Sequence, residues 1–151
     1  MWRMIMAFQH ILVPIDGSET AYAAVDQAVQ LAKTFNGKIT VVQVMTLDPY
    51  IAAEYITAAQ TNDLIERART SIQATLEEAK AKFSAEGLQV EARLLEGQVI
   101  HREIARAATE MNADLIVMGS HGRKGFQKFL LGSFAQDVLR GTQLPVLIVK
   151  E

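Results

Sequence analysis

The residues best suited to chemistry lie in one stretch, Met118-Gly119-Ser120-His121-Gly122-Arg123-Lys124-Gly125-Phe126-Gln127-Lys128-Phe129-Leu130-Leu131-Gly132-Ser133. It leaves an apolar run, passes through glycines and basic side chains, and re-enters a helical pattern at Gly132-Ser133. The first amides of a helix lack intrahelical partners and carry positive partial charge, so they form a natural anion site. Glycines without Cβ let that backbone close onto phosphate oxygens. Arg123, Lys124 and Lys128 add positive charge nearby. Two plainer readings compete: Ser133 and Gln136 have capping-box spacing, which needs no ligand, and the basic residues suit a solvated loop.

Other chemistries lack their residues. There is no Walker phosphate loop, no G-x-G-x-x-G fingerprint and no G-x-S-x-G elbow. His10, His101 and His121 fall on different expected elements without metal-ligand spacing. The absence of cysteine excludes a disulfide framework, thiolate catalysis and sulfur-ligated metal sites. Fifteen basic against seventeen acidic residues leave a net charge of −2, with no electrostatic footprint for nucleic acid. With 151 residues, half of them hydrophobic, the chain can bury an ordinary core as one domain.

The elements that must position this loop alternate between strand and helix. Ile11-Leu12-Val13-Pro14-Ile15 is a short apolar run stopped by Asp16-Gly17-Ser18, as expected of a strand buried on both faces. Pro14 marks its last residues, because proline cannot donate to a ladder. Ala24, Val25, Ala28, Leu31, Ala32 and Phe35 recur at helical spacing up to a stop at Asn36-Gly37. Ile39–Val44 reads as a second strand, and residues 46–60 read as irregular. Ile65, Ala68, Ile72, Leu76, Ala79 and Phe83 predict a long helix ended by Gly87. Leu88, Val90, Ala92 and Leu94 alternate with polar residues, the pattern of a strand near a sheet edge. A helix from Ile100 to Met111, a buried strand at Leu115–Met118, a short helix from Ser133 and a strand at Pro145–Val149 complete the chain. This order implies parallel strands joined by right-handed crossovers in a three-layer α/β sandwich.

At the glycine loop the chain resembles a known family. Gly119, Gly122, Gly132 and Ser133 match the G-x2-G-x9-G-S/T signature of the ATP-binding universal stress proteins. Ile11–Ser18 is similar to the family's opening strand, Ala113–Arg123 to its fourth strand and loop, and Leu144–Val149 to its closing strand. The resemblance runs from about residue 8 to 150, leaving residues 1–7 as an extension before a single domain, 8–151. It implies an open five-stranded parallel sheet in the order 3-2-1-4-5, with helices on both faces. The ligand would sit at the switch point, outside the carboxyl ends of the first and fourth strands.

Carried over by position, the family's pocket would set Pro14, Asp16 and Val44 around adenine and ribose, with Met118 and Gly119 on the same wall. Gly122, Gly132, Ser133 and the backbone of Phe134 would hold the phosphates, with Ile15, Ser120 and Arg123 in the same two loops. Asp16 has a second use, coordinating a magnesium ion through the phosphates of ATP. It also has a ligand-free use as a helix cap, with Glu19 as reciprocal partner. The resemblance further implies a homodimer paired through the closing strand, residues 145–150.

The expected function is a cytoplasmic ATP-binding universal stress protein, a regulatory nucleotide sensor with ATP, ADP or AMP as ligand and an unidentified regulatory protein as partner. No general base or nucleophile stands out near the loop, so efficient hydrolysis is not expected. Slow ATP hydrolysis or self-phosphorylation would have Ser120 and Ser133 as the nearest hydroxyls. The alternatives are an adenylate-forming enzyme of the same fold group, whose Ser-Gly-Gly-x-Asp-Ser loop is replaced here by Asp16-Gly17-Ser18, or a nucleotide-free dimeric scaffold. Residues 1–8 are too short for a signal-peptide apolar region, and Met4 and Met6 are alternative starts.

Overall fold

The computed structural model describes residues 7–16, 19–46, 57–120 and 131–150. Nine elements follow one another: β1 (His10–Pro14), α1 (Glu19–Phe35), β2 (Lys38–Met45), α2 (Ala58–Ala85), β3 (Val90–Glu96), α3 (Ile100–Glu110), β4 (Leu115–Gly119), α4 (Ser133–Gly141) and β5 (Val146–Val149). The strands form one parallel sheet in the order β3-β2-β1-β4-β5. This is the expected order.

Strand alternation divides the core into two layers. On one face Ile11, Val13, Ile39, Val41, Leu115 and Val117 pack against α1 and α2, through Ala24, Val25, Ala28, Ala32, Leu76, Ala79 and Phe83. The run of alanines lets α1 lie close to the two central strands. On the other face Leu12, Val42, Ile116 and Met118 meet Ile104 and Ala108 of α3 and Ala135 and Val138 of α4. β3 is an edge strand, and its Val90, Ala92 and Leu94 pack inward while Glu91 and Arg93 are exposed.

α2 begins well before its apolar stripe. Thr57 caps it, accepting the Gln60 amide at 3.1 Å while the Gln60 side chain accepts the Thr57 amide at 2.9 Å. This reciprocal pair starts a helix inside the stretch expected to be irregular, because a T-x-x-Q cap needs no apolar periodicity. Helix ends use left-handed residues: Asn36 and Asn112 have φ of 56° and 54°. Gly37 is required for a different reason, since a Cβ there would collide with the Phe8 carbonyl oxygen.

The amino ends of the two central strands are tied tightly. The Asp114 carboxylate accepts the amides of Gln9 at 2.8 Å and His10 at 3.0 Å, and the Asp114 amide donates to the His10 carbonyl at 3.0 Å. His10 is 7% exposed, with Nδ1 2.9 Å from the Met111 carbonyl and Nε2 2.7 Å from the Thr40 hydroxyl. A carbonyl can only accept, so Nδ1 carries the proton and Nε2 accepts from Thr40. Burial holds the imidazole below its ordinary pKa. The unfolded chain therefore binds a proton below about pH 6.5 that the folded chain resists, and this contribution to stability is lost as pH falls through that range. His10→Ala is expected to cost about 1–3 kcal/mol at pH 7.5 by stranding two buried polar groups. The gap from the native chain should narrow between pH 7 and pH 5 in urea titrations; a gap independent of pH would refute the assignment.

Candidate functional site

At their carboxyl ends the same two strands part. β1 and β4 pair only at Ile11–Leu115 and Leu12–Ile116, whereas β1 stays with β2 as far as Pro14–Val42 and β4 stays with β5 as far as Gly119–Val149. One further rung extends each outer pairing: the Ile15 amide donates to the Val42 carbonyl at 2.8 Å, and the Ser120 amide to the Val149 carbonyl at 3.0 Å. Successive residues of a strand direct their amides to opposite neighbours. His10 and Ile15 face β4 and β2 respectively, so position 14 faces β4. Proline there has no N–H to give. The residue that ends the β1–β4 ladder is therefore Pro14, and the switch point of the sheet, where α/β sheets form their crevice, lies directly beyond it.

Asp16 stands half-buried on the β1 side of this crevice, with Gly119 and Ser120 on the β4 side. The Gly132 amide donates to the Ser120 carbonyl at 2.8 Å, which brings the far end of the glycine segment back to its start. α4 then opens from this point. Its N-cap is Gly132 in extended conformation, φ −61° and ψ 154°, with no side-chain cap. The Ser133–Gln136 capping box, the competing ligand-free reading of this spacing, does not form. Gly132 occupies the cap position instead, its carbonyl accepts the Gln136 amide at 3.1 Å, and the Gln136 side chain turns back to the Leu131 carbonyl at 2.8 Å. A glycine cap offers the amides of Ser133, Phe134 and Ala135 no side-chain oxygen.

An apolar wall adjoins these amides. Val44, Met118, Leu131 and Phe134 belong to the α3/α4 side of the core, and alternation puts Pro14 on the same side as Leu12. Met118 is 1% exposed, so it supports this wall from within. Ile15 packs on the opposite side, against the α1 layer, and reaches the site only through its backbone. Ser120 is 3% exposed while Ser133 is exposed, so the two hydroxyls differ in access. Gly122 and Arg123, with His121, Lys124, Gly125 and Lys128, lie outside the described residues, as do Tyr50 and Tyr55.

The sequence reading missed Leu131, although an apolar Phe129-Leu130-Leu131 run inside a polar loop was a signal for it. It also missed the two ring contacts of His10, which only the fold brings together. Among the described residues no three His, Cys, Asp or Glu side chains are placed to hold a metal ion. The arrangement suits a ligand with a flat apolar part and an anionic tail: a wall for the first, and for the second, helix amides that no side chain among the described residues caps.

The sequence matches the universal stress protein family over residues 7–150. The chain belongs to that family. The universal stress protein MJ0531 of Methanocaldococcus jannaschii is 32% identical over 145 residues, covering 95% of this chain and 83% of that protein. A solved member of the universal stress protein family from Burkholderia pseudomallei is 29% identical with a TM-score of 0.72, over 95% of this chain and 97% of that one. A universal stress protein solved in complex with cAMP is also 29% identical, with a TM-score of 0.70 over 95% and 98% of the two chains.

In this universal stress protein, Pro14→Ala supplies the amide that β1 lacks opposite β4. A new rung contributes about 0.5–1.5 kcal/mol, and the greater freedom of the unfolded chain removes about 0.4–1 kcal/mol, so stability should change little. The new amide is expected to be protected from hydrogen exchange as the crevice closes by one rung. Exchange at the solvent rate would mean that other packing holds the strands apart.

Proposed function

We propose that this protein is an ATP-binding universal stress protein that acts as a regulatory nucleotide sensor. The observation that carries the reading is the convergence of distant segments: Asp16 from the end of β1, Gly119 and Ser120 from the end of β4, and the uncapped start of α4, fastened to Ser120 through Gly132. Adenine and ribose would lie along Pro14, Val44, Met118 and Gly119, with Asp16 and the Ile15 backbone at their edge. The phosphates would lie on Gly132, Ser133 and the Phe134 amide, completed by Ser120, Gly122 and Arg123. The cAMP complex of a relative 29% identical supports an adenine nucleotide as ligand.

A single carboxylate at the rim suits magnesium carried in by phosphates, because this ion is commonly held by one or two carboxylates together with substrate oxygens. Asp16 is the residue that would complete its shell, and the ion would neutralise charge on the phosphate tail. The residues supply binding, orientation and an apolar wall, which fits sensing better than turnover. Of the two nearby hydroxyls, the exposed Ser133 is the one able to accept a phosphoryl group in slow self-phosphorylation. The protein would act in the cytoplasm as a single domain over residues 8–151, dimeric through the closing strand at 145–150, and report nucleotide occupancy to a regulatory protein. Among the described residues no helix is long and apolar enough to cross a membrane.

Protein purified without added nucleotide should release an adenine nucleotide on acid extraction. The emptied protein should bind ATP–Mg2+ at about one per chain in a calorimetric titration. Gly132 has a φ that any L-residue adopts, so Gly132→Val is expected to fold normally. Its isopropyl group would crowd the anion position and weaken binding at least about tenfold, roughly the 1.4 kcal/mol of one displaced charge-assisted contact. Absence of nucleotide, of heat and of binding in a direct assay would overturn the reading.

A further inference from the structure

We infer that Gln136 is a positioning residue for the anionic tail of the ligand: its side chain fixes the Leu131–Gly132 peptide so that the start of α4 turns N–H groups, and no carbonyl, towards the crevice. The inference deepens the nucleotide reading above and rests on it.

A trans peptide points its N–H and its C=O in opposite directions. The Leu131–Gly132 peptide is held at both poles. Its N–H donates to the Ser120 carbonyl at 2.8 Å, and its C=O accepts the Gln136 side-chain amide, also at 2.8 Å. The N–H therefore faces the end of β4 and the carbonyl faces away from it. Half a turn of this peptide would reverse both. It would set the Leu131 carbonyl against that of Ser120 and bring partial negative charge towards the anion position. Gly132 has no Cβ to oppose such a rotation, so the orientation depends on the two partners. Leu131 itself packs into the apolar wall, so the same bond holds one of the wall residues in place.

The residue type at position 136 decides this. The amide of a glutamine can donate to a carbonyl, whereas an ionised carboxylate can only accept. Two helix starts show the difference in use. At α2 the Gln60 side chain accepts the Thr57 amide at 2.9 Å while the Thr57 hydroxyl accepts the Gln60 amide at 3.1 Å, so that helix caps itself. At α4 the Gln136 side chain donates to the carbonyl before the cap, and no side chain caps the first turn. That turn also has no acidic residue, although one would favour the helix through its dipole. A carboxylate there would repel a phosphate. Asp137, the acidic residue of α4, lies 3.9 Å from His101 on α3 instead.

Two variants of the full chain test the role. Gln136→Met removes the donor but keeps the length and the helix-forming tendency. Gln136→Glu also removes it and adds a charge that the helix dipole favours, so both are expected to unfold thermally near the native midpoint. Calorimetric affinity for ATP–Mg2+ should fall about 2- to 12-fold in Gln136→Met, the equivalent of one net hydrogen bond. It should fall further in Gln136→Glu, and added salt should narrow the gap between the two variants. Adenosine, which carries no phosphate, should bind all three chains alike in NMR titrations. In ligand-free Gln136→Met the Gly132 amide should exchange faster with solvent. Native ATP affinity in both variants, adenosine weakened as much as ATP, or unchanged exchange at Gly132 would each overturn the positioning role and leave the nucleotide reading standing. A native chain that binds neither ATP–Mg2+ nor adenosine would overturn that reading and the inference with it.

Discussion

The site depends on one missing rung. Two central parallel strands, buried on both faces, would ordinarily stay paired to their ends, because an unpaired buried amide costs as much as a lost hydrogen bond. Pro14 removes the donor instead of leaving it unsatisfied, so β1 and β4 separate without stranding an N–H. The amino ends are held with matching firmness, by the Asp114 carboxylate on two amides of β1 and by His10 between Met111 and Thr40. The sheet is thus closed at one end of its central pair and open at the other. β2 and β5 retain their rungs beyond the parting point and keep the two lips in fixed positions.

What lines the opening follows from the crossovers. β1 and β4 are neighbours in the sheet and run parallel, so Asp16 and Ser120 at their carboxyl ends come to the same edge although they are about a hundred positions apart in the chain. α4 starts there with a glycine as its cap, and the helix offers its first amides to whatever occupies the site. A serine or aspartate at position 132 would satisfy those amides internally. Glycine keeps the helix slightly less stable by itself and better suited to an anion. The apolar side of the crevice is the edge of the α3/α4 core layer, so the wall that a purine would meet is held by the packing that stabilises the fold.

Much of this was legible in the residues. The alternation of apolar runs and helical stripes yields all five strands, and the half-polar pattern of residues 88–95 places β3 at an edge. The spacing of Gly119, Gly122, Gly132 and Ser133 points to an anion loop in the sequence, and of these the structure describes Gly119, Gly132 and Ser133. Other features depend on contacts distant in sequence. Ser133 and Gln136 have the spacing of a capping box, yet Gly132 takes the cap because its carbonyl and amide are both engaged, by Gln136 and Ser120. Pro14 reads in sequence as a strand end; that its lost amide faces β4 rather than β2 appears only once the register is known. The start of α2 was hidden because its cap residue, Thr57, lies eight positions before the apolar stripe begins at Ile65.

The central claim is that an adenine nucleotide sits in the crevice between β1 and β4 with its phosphates on the start of α4. Backbone amide resonances followed by NMR during titration of the emptied protein with ATP–Mg2+ test this directly. The expected result is a set of shifts confined to the ends of β1 and β4 and the first turn of α4, at Asp16, Gly119, Ser120, Gly132, Ser133 and Phe134, saturating at one nucleotide per chain. Saturable binding with its shifts elsewhere, or shifts at these residues that never saturate, would contradict it.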